Sequence, residues 1–411
     1  MAPGVSIVIP TYNGGRRFLQ CLEMIQAQSF EEERQLIIVD SGSTDGTVEA
    51  AKMAGARVHA IVKKAFHHAR TRNMAVSFAD YERVVFMVQD AIPCSRNWLS
   101  DLSRTLDESQ TAAVYTGHIP HEDATLFARF ETDSIRRARG GEPVVHHLES
   151  PDSFFNMPYE QAYRAVGLDN VCAIYKRDVL LKHPFPEVGF AEDLAWALSQ
   201  LLGGHQIMYQ PKIQVKHSHD RPPAYIFRRQ IINSFWCAKI LKRVREDLSF
   251  LRLQHLTGIL NGVRTCVRRM MKGVEGPILN IRHPLSSVEH RIKDNPMRSH
   301  TKPVLKDIVK RFPPVFRVRL FLKDRFSGAP SFQAPEVKRI MTQLEEEIRH
   351  LFLVLREEYP GTGEADYTEA LEQIAATVLG RTFGETYASC VLNKAVSREL
   401  DHFMRPWLTG I

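Results

Sequence analysis

Apolar positions first come in short unbroken runs, then in longer helical stripes. Ser6–Pro10, Leu36–Asp40, Val58–Val62 and Val84–Val88 are such runs. Strands covered on both faces need continuous apolar sequence of this kind. Between them the spacing predicts helices over Arg16–Gln28, Thr47–Met53 and Ala69–Ala79. This β-α-β-α order predicts an α/β, Rossmann-like domain with a mostly parallel central sheet and flanking helices. Such sheets bind ligands beyond the carboxyl ends of their strands, and polar residues collect there. Thr11, Tyr12 and Asn13 follow the first strand, Asp40 ends the second, and Gln89 and Asp90 follow the fourth.

Residues 120–170 carry Gly140-Gly141, several prolines and many charges, and read as irregular, acceptor-side loops. A second patch follows, with a strand over Val171–Tyr175, a helix over Asp193–Leu202, and strands over Gln206–Tyr209 and Ile213–His217. After Pro222-Pro223 the pattern becomes helical. Leu256, Ile259, Leu260, Val263, Val267, Met270, Met271 and Val274 form one stripe, with Arg264, Arg268, Arg269 and Lys272 mostly off it. That helix packs on a core with a basic solvent face, or lies on a membrane surface. Near the C-terminus Val337, Ile340, Met341, Leu344, Ile348, Leu351, Phe352 and Leu355 recur at steps of three and four. This is the spacing of a helix packed against another helix, from the same chain or from a second subunit in a homo-oligomer. The predicted organisation is an α/β domain over 1–222, a basic helical region over 223–330 and a C-terminal helical region over 331–411.

Charge sharpens this division. The chain of 411 residues has a formal net charge of +7, but 221–325 holds 24 Lys and Arg against 7 Asp and Glu. A block of that sign favours an anionic partner such as a membrane surface, unless it is simply a solvated face. The six cysteines are scattered with no Cys-x-x-Cys pair, which argues against a zinc site or disulfide framework and for a reducing cytoplasm. The first apolar run is too short for a signal peptide, and none reaches the length of a membrane span. The expected location is the cytoplasm, with peripheral attachment to the inner face of the cell membrane through the basic region.

Six short clusters carry the candidate chemistry. They are Val5-Ser-Ile-Val-Ile-Pro-Thr-Tyr-Asn13 with Ile38-Val-Asp-Ser-Gly-Ser-Thr-Asp-Gly-Thr47; Phe66-His-His-Ala-Arg-Thr-Arg-Asn73; Val85-Phe-Met-Val-Gln-Asp-Ala-Ile-Pro93; Phe190-Ala-Glu-Asp-Leu-Ala-Trp196; and Val215-Lys-His-Ser-His-Asp-Arg221. Taken singly each has a plain structural reading: a strand–turn–helix with Thr44 or Asp45 capping, helix-start acidic residues, or structural histidines. Taken together they resemble the family 2 glycosyltransferases of the GT-A fold. The Phe-x-His-x-x-x-Arg-Asn and Gln-Asp-Ala-x-Pro forms are similar to a rhamnosyltransferase-like branch. The family's usual Asp-x-Asp is reduced here to Val88-Gln89-Asp90.

The resemblance, which covers about residues 4–220, implies an inverting transfer from a nucleotide sugar. The donor implied is dTDP-rhamnose, with UDP-hexose the alternative. The acceptor implied is a hydroxyl of a glycan or lipid-linked glycan in surface polysaccharide assembly. Donor contacts would come from Pro10, Thr11, Tyr12, Asn13, Asp40, Ser41, Gly42, Arg72, Asn73, Gln89 and Asp90. Asp40, with Thr11 beside it, would accept the imide N–H of the base; Arg72 has the planar fork that suits phosphate oxygens. Asn73 would bond the donor or a loop, and His67 the sugar or phosphate, unless it is structural. A divalent cation, Mg²⁺ or Mn²⁺, would be held by Asp90 with His217 or His219. Asp193 would be the base that takes the acceptor proton, with Glu192 orienting it or the acceptor.

Other classes fit less well. A dinucleotide enzyme needs Gly-x-Gly-x-x-Gly where this chain has Pro10-Thr-Tyr-Asn-Gly-Gly15. A P-loop is absent, as are nucleic-acid-binding motifs in the basic block. The missing first carboxylate leaves one rival within the family, a catalytically inactive scaffold.

Overall fold

The computed structural model describes residues 2–245, 335–393 and 408. The helical stripe 256–274, Cys266 and the bulk of the 223–330 region lie outside the described residues. Within them the chain forms two compact units. The first holds residues up to Asp220, those from Trp236 onward to 245, and Leu408. The second holds Arg221–Phe235 and the two C-terminal helices.

The first unit opens β1 (Ala2–Thr11), α1 (Gly15–Gln26), β2 (Glu33–Asp40), α2 (Thr47–Met53), β3 (Arg57–Ala60), α3 (His68–Ser77) and β4 (Tyr81–Met87). These strands pair in parallel in the order β3-β2-β1-β4. The unbroken apolar runs explain why helices cover both faces. On β1, Val8 enters one core and Ile7 and Ile9 the other; on β4, Val84 and Phe86 are split from Val85 and Met87 in the same way. Alternate side chains point to opposite faces of a strand, so a strand buried on both sides has no polar position to spare. One face is covered by α1 and α4 (Trp98–Ser109), through Phe18, Leu22, Trp98 and Leu102. The other is covered in part by Ala69, Ala75 and Val76 of α3.

The second half of the sheet departs from the parallel expectation. It contains β5 (Ile92–Pro93), β6 (Ala113–Ile119), β7 (Val144–His146), β8 (Cys172–Lys176) and β9 (Ile207–Lys216). β8 runs antiparallel to both β4 and β6, β9 parallel to β6, and β5 and β7 antiparallel to β9. The fold class stands as α/β, with a mixed nine-stranded sheet. Two further differences concern local structure. The strands expected at 206–209 and 213–217 are one strand, broken in register where Thr116 pairs Gln210 and Gly117 pairs Gln214. Pro211 cannot donate to the ladder, so the strand bulges there. The chain then runs so close that a Cβ on Gly117 would lie 2.7 Å from the Pro211 carbonyl oxygen. The segment 120–170 is not irregular: it holds α5 (Leu126–Arg139), β7, α6 (Pro151–Phe155) and α7 (Tyr159–Val166). Gly140-Gly141 ends α5 rather than marking a long loop, with Gly140 at φ 84°.

α8 (Arg177–Lys182) and α9 (Glu192–Leu202) complete this layer, and α10 (Pro223–Leu241) follows β9. In the second unit, α11 (Pro335–Glu358) and α12 (Glu364–Leu392) pack together. The predicted stripe is buried on α11 at Ile340, Leu344, Ile348, Phe352 and Leu355. Its partner is α12 of the same chain, so the pattern needs no second subunit. α12 also meets the first part of α10 at Gly380 and Gly384, where a Cβ would sit 2.5 and 2.4 Å from the Phe227 and Ile231 carbonyl oxygens. Only glycine permits that approach. No helix among the described residues is long and apolar enough to cross a membrane. The described cysteines, Cys21, Cys94, Cys172, Cys237 and Cys390, are not joined in disulfides.

Candidate active site

Topology alone brings the candidate residues to one edge. The carboxyl ends of the parallel strands β1, β2 and β4 lie together, with Thr11 paired to Asp40 in register. Because β8 is antiparallel, its beginning rather than its end reaches this edge: Cys172 pairs Met87, and Val88 N–H donates to the Val171 carbonyl at 3.0 Å. The ends of β6 and β9 arrive beside it, and His217 N–H donates to the Ile119 carbonyl at 2.8 Å.

Asp40 is 2% exposed and accepts from the chain through both carboxylate oxygens. Oδ2 takes the Thr11 hydroxyl at 2.8 Å, and Oδ1 the Gly42 and Ser43 N–H groups at 2.9 Å each. That tight turn requires a left-handed residue, which Gly42 supplies at φ 94°. Burial opposes ionisation, yet the bonds from Ser43, Thr11 and Gly42 win and hold the carboxyl below its usual range. The loop after β1 is zipped to the loop after β2. Asn13, at φ 47°, donates its N–H to the Ser43 hydroxyl and accepts Thr44 N–H on its side chain. Gly14 N–H donates to Thr47, and Asp45 accepts from Gly15 and Thr47 N–H. Ser41 is buried with its hydroxyl on the Thr11 carbonyl, whereas Tyr12 is 40% exposed and accepts from Lys63. Pro10, paired with Val39, leads into this loop.

Gln89, where the family has a carboxylate, clamps the Tyr12 backbone in both directions. Tyr12 N–H donates to Oε1 at 2.9 Å and Nε2 donates to the Tyr12 carbonyl at 3.2 Å. A carboxylate only accepts and could not make the second bond. Asp90 then faces two histidines: His219 Nδ1 lies 3.5 Å and His217 Nε2 3.9 Å from its oxygens. One ligand atom from each of Asp90, His217 and His219 lies within 4.8 Å of the others. Burial, reinforced by His219 and His118, pushes the His217 pKa well down and keeps its ring neutral. Neutral imidazole is the ligating form, so the trio could hold a divalent ion, with both histidines within reach of Asp90.

At the other side of the edge α9 begins with Glu192 and Asp193, after Ala191 in the left-handed region at φ 58°. A non-glycine residue there carries strain of the kind found at functional sites. Arg72, expected at a diphosphate, is turned onto Glu192 instead. The two side chains are each 5% exposed and form a short ion pair, with His68 Nδ1 3.4 Å from Arg72. Asn73 is likewise occupied, exchanging two 2.9 Å bonds with the Phe185 backbone. His67 caps α3 by accepting Arg70 N–H. Glu192 is thus walled in and held ionised: burial opposes charge, but Arg72 and His68 lower its pKa. Asp193 is half-buried and has no such cation of its own. Burial, then the Glu192 charge, raises its pKa to about 7. Its Oδ2 accepts Asn170 N–H at 3.0 Å.

Between the histidines and the carboxylate pair lies a group that sequence reasoning missed. Asp169 takes Arg139 at 2.6 Å and stands 3.3 Å from His118 Nε2, whose ring is edge-on to His217 at 5.8 Å. Burial opposes its charge, but His118 and Arg139 drive the Asp169 pKa far down. The signal was Asp169-Asn170 in front of β8. A parallel strand would have put it at the other edge, so only the antiparallel run of β8 brings it here.

Comparison with known proteins gives the family. The glycosyl transferase family 2 model matches residues 6–183. The chain is 31% identical over 231 residues to the O-antigen chain rhamnosyltransferase WbaN of Salmonella anatum, covering 55% of this chain and 70% of that one. It is 29% identical over 235 residues to the O-antigen chain rhamnosyltransferase RfbN of Salmonella typhimurium, covering 55% and 69%. Among solved structures, a mannosyltransferase from Pyrobaculum calidifontis in complex with GDP-Man and Mn²⁺ aligns over 93% of this chain and 87% of its own. Its identity is 17% and its TM-score 0.43.

Proposed function

The chain belongs to glycosyltransferase family 2, and from that premise we propose that it moves rhamnose from dTDP-rhamnose to a glycan hydroxyl in one inverting displacement. The observation that carries the reading is the difference between two neighbouring carboxylates. Glu192 is locked to Arg72, while Asp193 is half-buried with a raised pKa. A base works best when its pKa lies near the working pH, and of the pair only Asp193 has that property. It would take the proton of the acceptor hydroxyl as that oxygen attacks the anomeric carbon and the nucleoside diphosphate leaves.

Thr11, Tyr12 and Asp40 are the proposed base-binding wall, with Asn13, Ser41, Gly42 and Gln89 shaping it. The four bonds already on Asp40 mean that accepting an imide N–H requires the Thr11 or Ser43 hydroxyl to turn aside. Arg72 acts through Glu192 rather than on phosphate. Asp90, His217 and His219 would hold the cation, which when bound neutralises charge on the leaving diphosphate. One carboxylate with two imidazoles is a mixed donor set, better suited to Mn²⁺ than to Mg²⁺, which prefers oxygen. Rhamnose as the donor sugar is supported by the names of the two Salmonella relatives. The acceptor would be a lipid-linked glycan, and the basic 221–325 stretch would bring the protein to an anionic membrane surface from the cytoplasmic side.

The test is nucleoside diphosphate release from dTDP-rhamnose, UDP-glucose and GDP-mannose, each with and without Mn²⁺. Release from dTDP-rhamnose above the others, and dependent on Mn²⁺, is expected. Release confined to another donor would overturn the sugar assignment, and none from any would favour an inactive scaffold.

A further inference from the structure

Asn170 is 3% exposed and bonds through both its main chain and its side chain beside the carboxylate pair. Its main-chain N–H donates to Asp193 Oδ2 at 3.0 Å and its Nδ2 to Glu192 Oε1 at 3.4 Å. Its Oδ1 accepts the Tyr175 hydroxyl at 2.6 Å. Tyr175 is fully buried, ringed by Phe86, Phe185 and Trp196, so its hydroxyl has little freedom to turn elsewhere. The amide has one orientation that works: flipping it would point Oδ1 at the Glu192 carboxylate. The backbone on either side is also pinned. Asp169 is gripped by Arg139 and accepts Val171 N–H at 3.0 Å, and the Val171 carbonyl accepts Val88 N–H.

We infer that Asn170, clamped by Tyr175, is the positioning residue of this site: its main-chain N–H aims the Asp193 carboxylate while its amide steadies Glu192, so that one residue fixes the direction of both carboxylates. The inference rests on the reading of Asp193 as the base. Tyr175 is the remote end of the device and touches neither substrate nor base.

The physical consequence concerns Asp193. The charged and titratable groups around it are Glu192, Arg72, Asp169, Tyr163 and Tyr175, with His68 acting on Glu192. Arg72 keeps Glu192 ionised with or without the Asn170 amide, so the titration of Asp193 stays where burial and Glu192 put it. What the amide and the Tyr175 hydroxyl hold is the course of the backbone through Asn170, and with it the direction of the Asp193 carboxylate. Losing that hold slows proton removal without weakening donor binding, whereas a purely structural asparagine would change stability alone.

The experiment uses the full chain and compares melting and steady-state kinetics of Asn170→Ala, Tyr175→Phe and Asp193→Asn with wild type. With the donor that the wild type uses, kcat falls about tenfold in Asn170→Ala, and less in Tyr175→Phe, while the donor KM stays within about twofold. Tyr175→Phe keeps the test decisive if Asn170→Ala does not fold. An unchanged kcat in a variant that melts like wild type, while Asp193→Asn loses turnover, overturns the inference. Wild-type turnover in Asp193→Asn removes instead the reading of Asp193 as the base.

Discussion

Replacing Arg72 with methionine tests the buried ion pair on which the carboxylate assignment depends. Each side chain of the Arg72–Glu192 pair is only 5% exposed, so water cannot step in when one partner is lost. Breaking such a pair costs about 3–5 kcal/mol, mostly for the charge left behind. With a urea slope of about 1–3 kcal/mol/M, the midpoint should fall by at least about 1 M. Trp98 and Trp196 are 1% and 0% exposed in the same unit, so their fluorescence reports this transition. The double variant Arg72→Met/Glu192→Met removes both charges and should cost less than the sum of the single variants, the excess being the coupling. The sign with pH follows from the lowered Glu192 pKa. The pair's contribution is complete above the unfolded carboxyl value of 4.5 and is lost as pH falls through the folded value. The gap between wild type and Arg72→Met should therefore narrow in acid. A single-variant cost under about 1 kcal/mol, or costs that simply add, would refute the reasoning and return Arg72 to the diphosphate.

Three further outcomes are expected. Asp193→Asn should leave nucleotide binding intact and lower turnover by about 10² or more. In wild type kcat/KM should rise with pH and level off above about 7, since the base must be deprotonated; a flat profile would remove Asp193 from that role. Asp40→Ala should weaken dTDP and UDP binding by about tenfold or more in calorimetry, because it removes both the acceptor and the turn at Gly42; unchanged affinity would argue against the base-binding wall. His217→Ala should abolish the thermal shift that Mn²⁺ gives with nucleoside diphosphate, while His219→Ala weakens it. A shift that survives both would show that Asp90 does not use these histidines.

The sequence by itself determined the central layer and the order of the chemistry along the chain. Unbroken runs at Ser6–Pro10, Leu36–Asp40 and Val84–Val88 admit only strands covered on both faces, because an alternating polar position would be buried. Asp40, Asp90, Glu192-Asp193 and the two histidines stood out in the sequence only through the resemblance that their motifs carry together. The helical spacing on α11 was legible from its period. Tertiary structure alone decided what each residue faces. Strand direction is not encoded in an apolar run, so the antiparallel course of β8, and with it the placing of Asp169 and Asn170, appears only once hydrogen bonds are formed between distant segments. Local sequence could not show that Arg72 turns from phosphate to Glu192 across 120 positions, nor that Gln89 clamps the Tyr12 backbone. Nor could it show that of two adjacent carboxylates one is locked to an arginine and the other half-buried with a raised pKa, since that difference is made by burial and by charges from other elements.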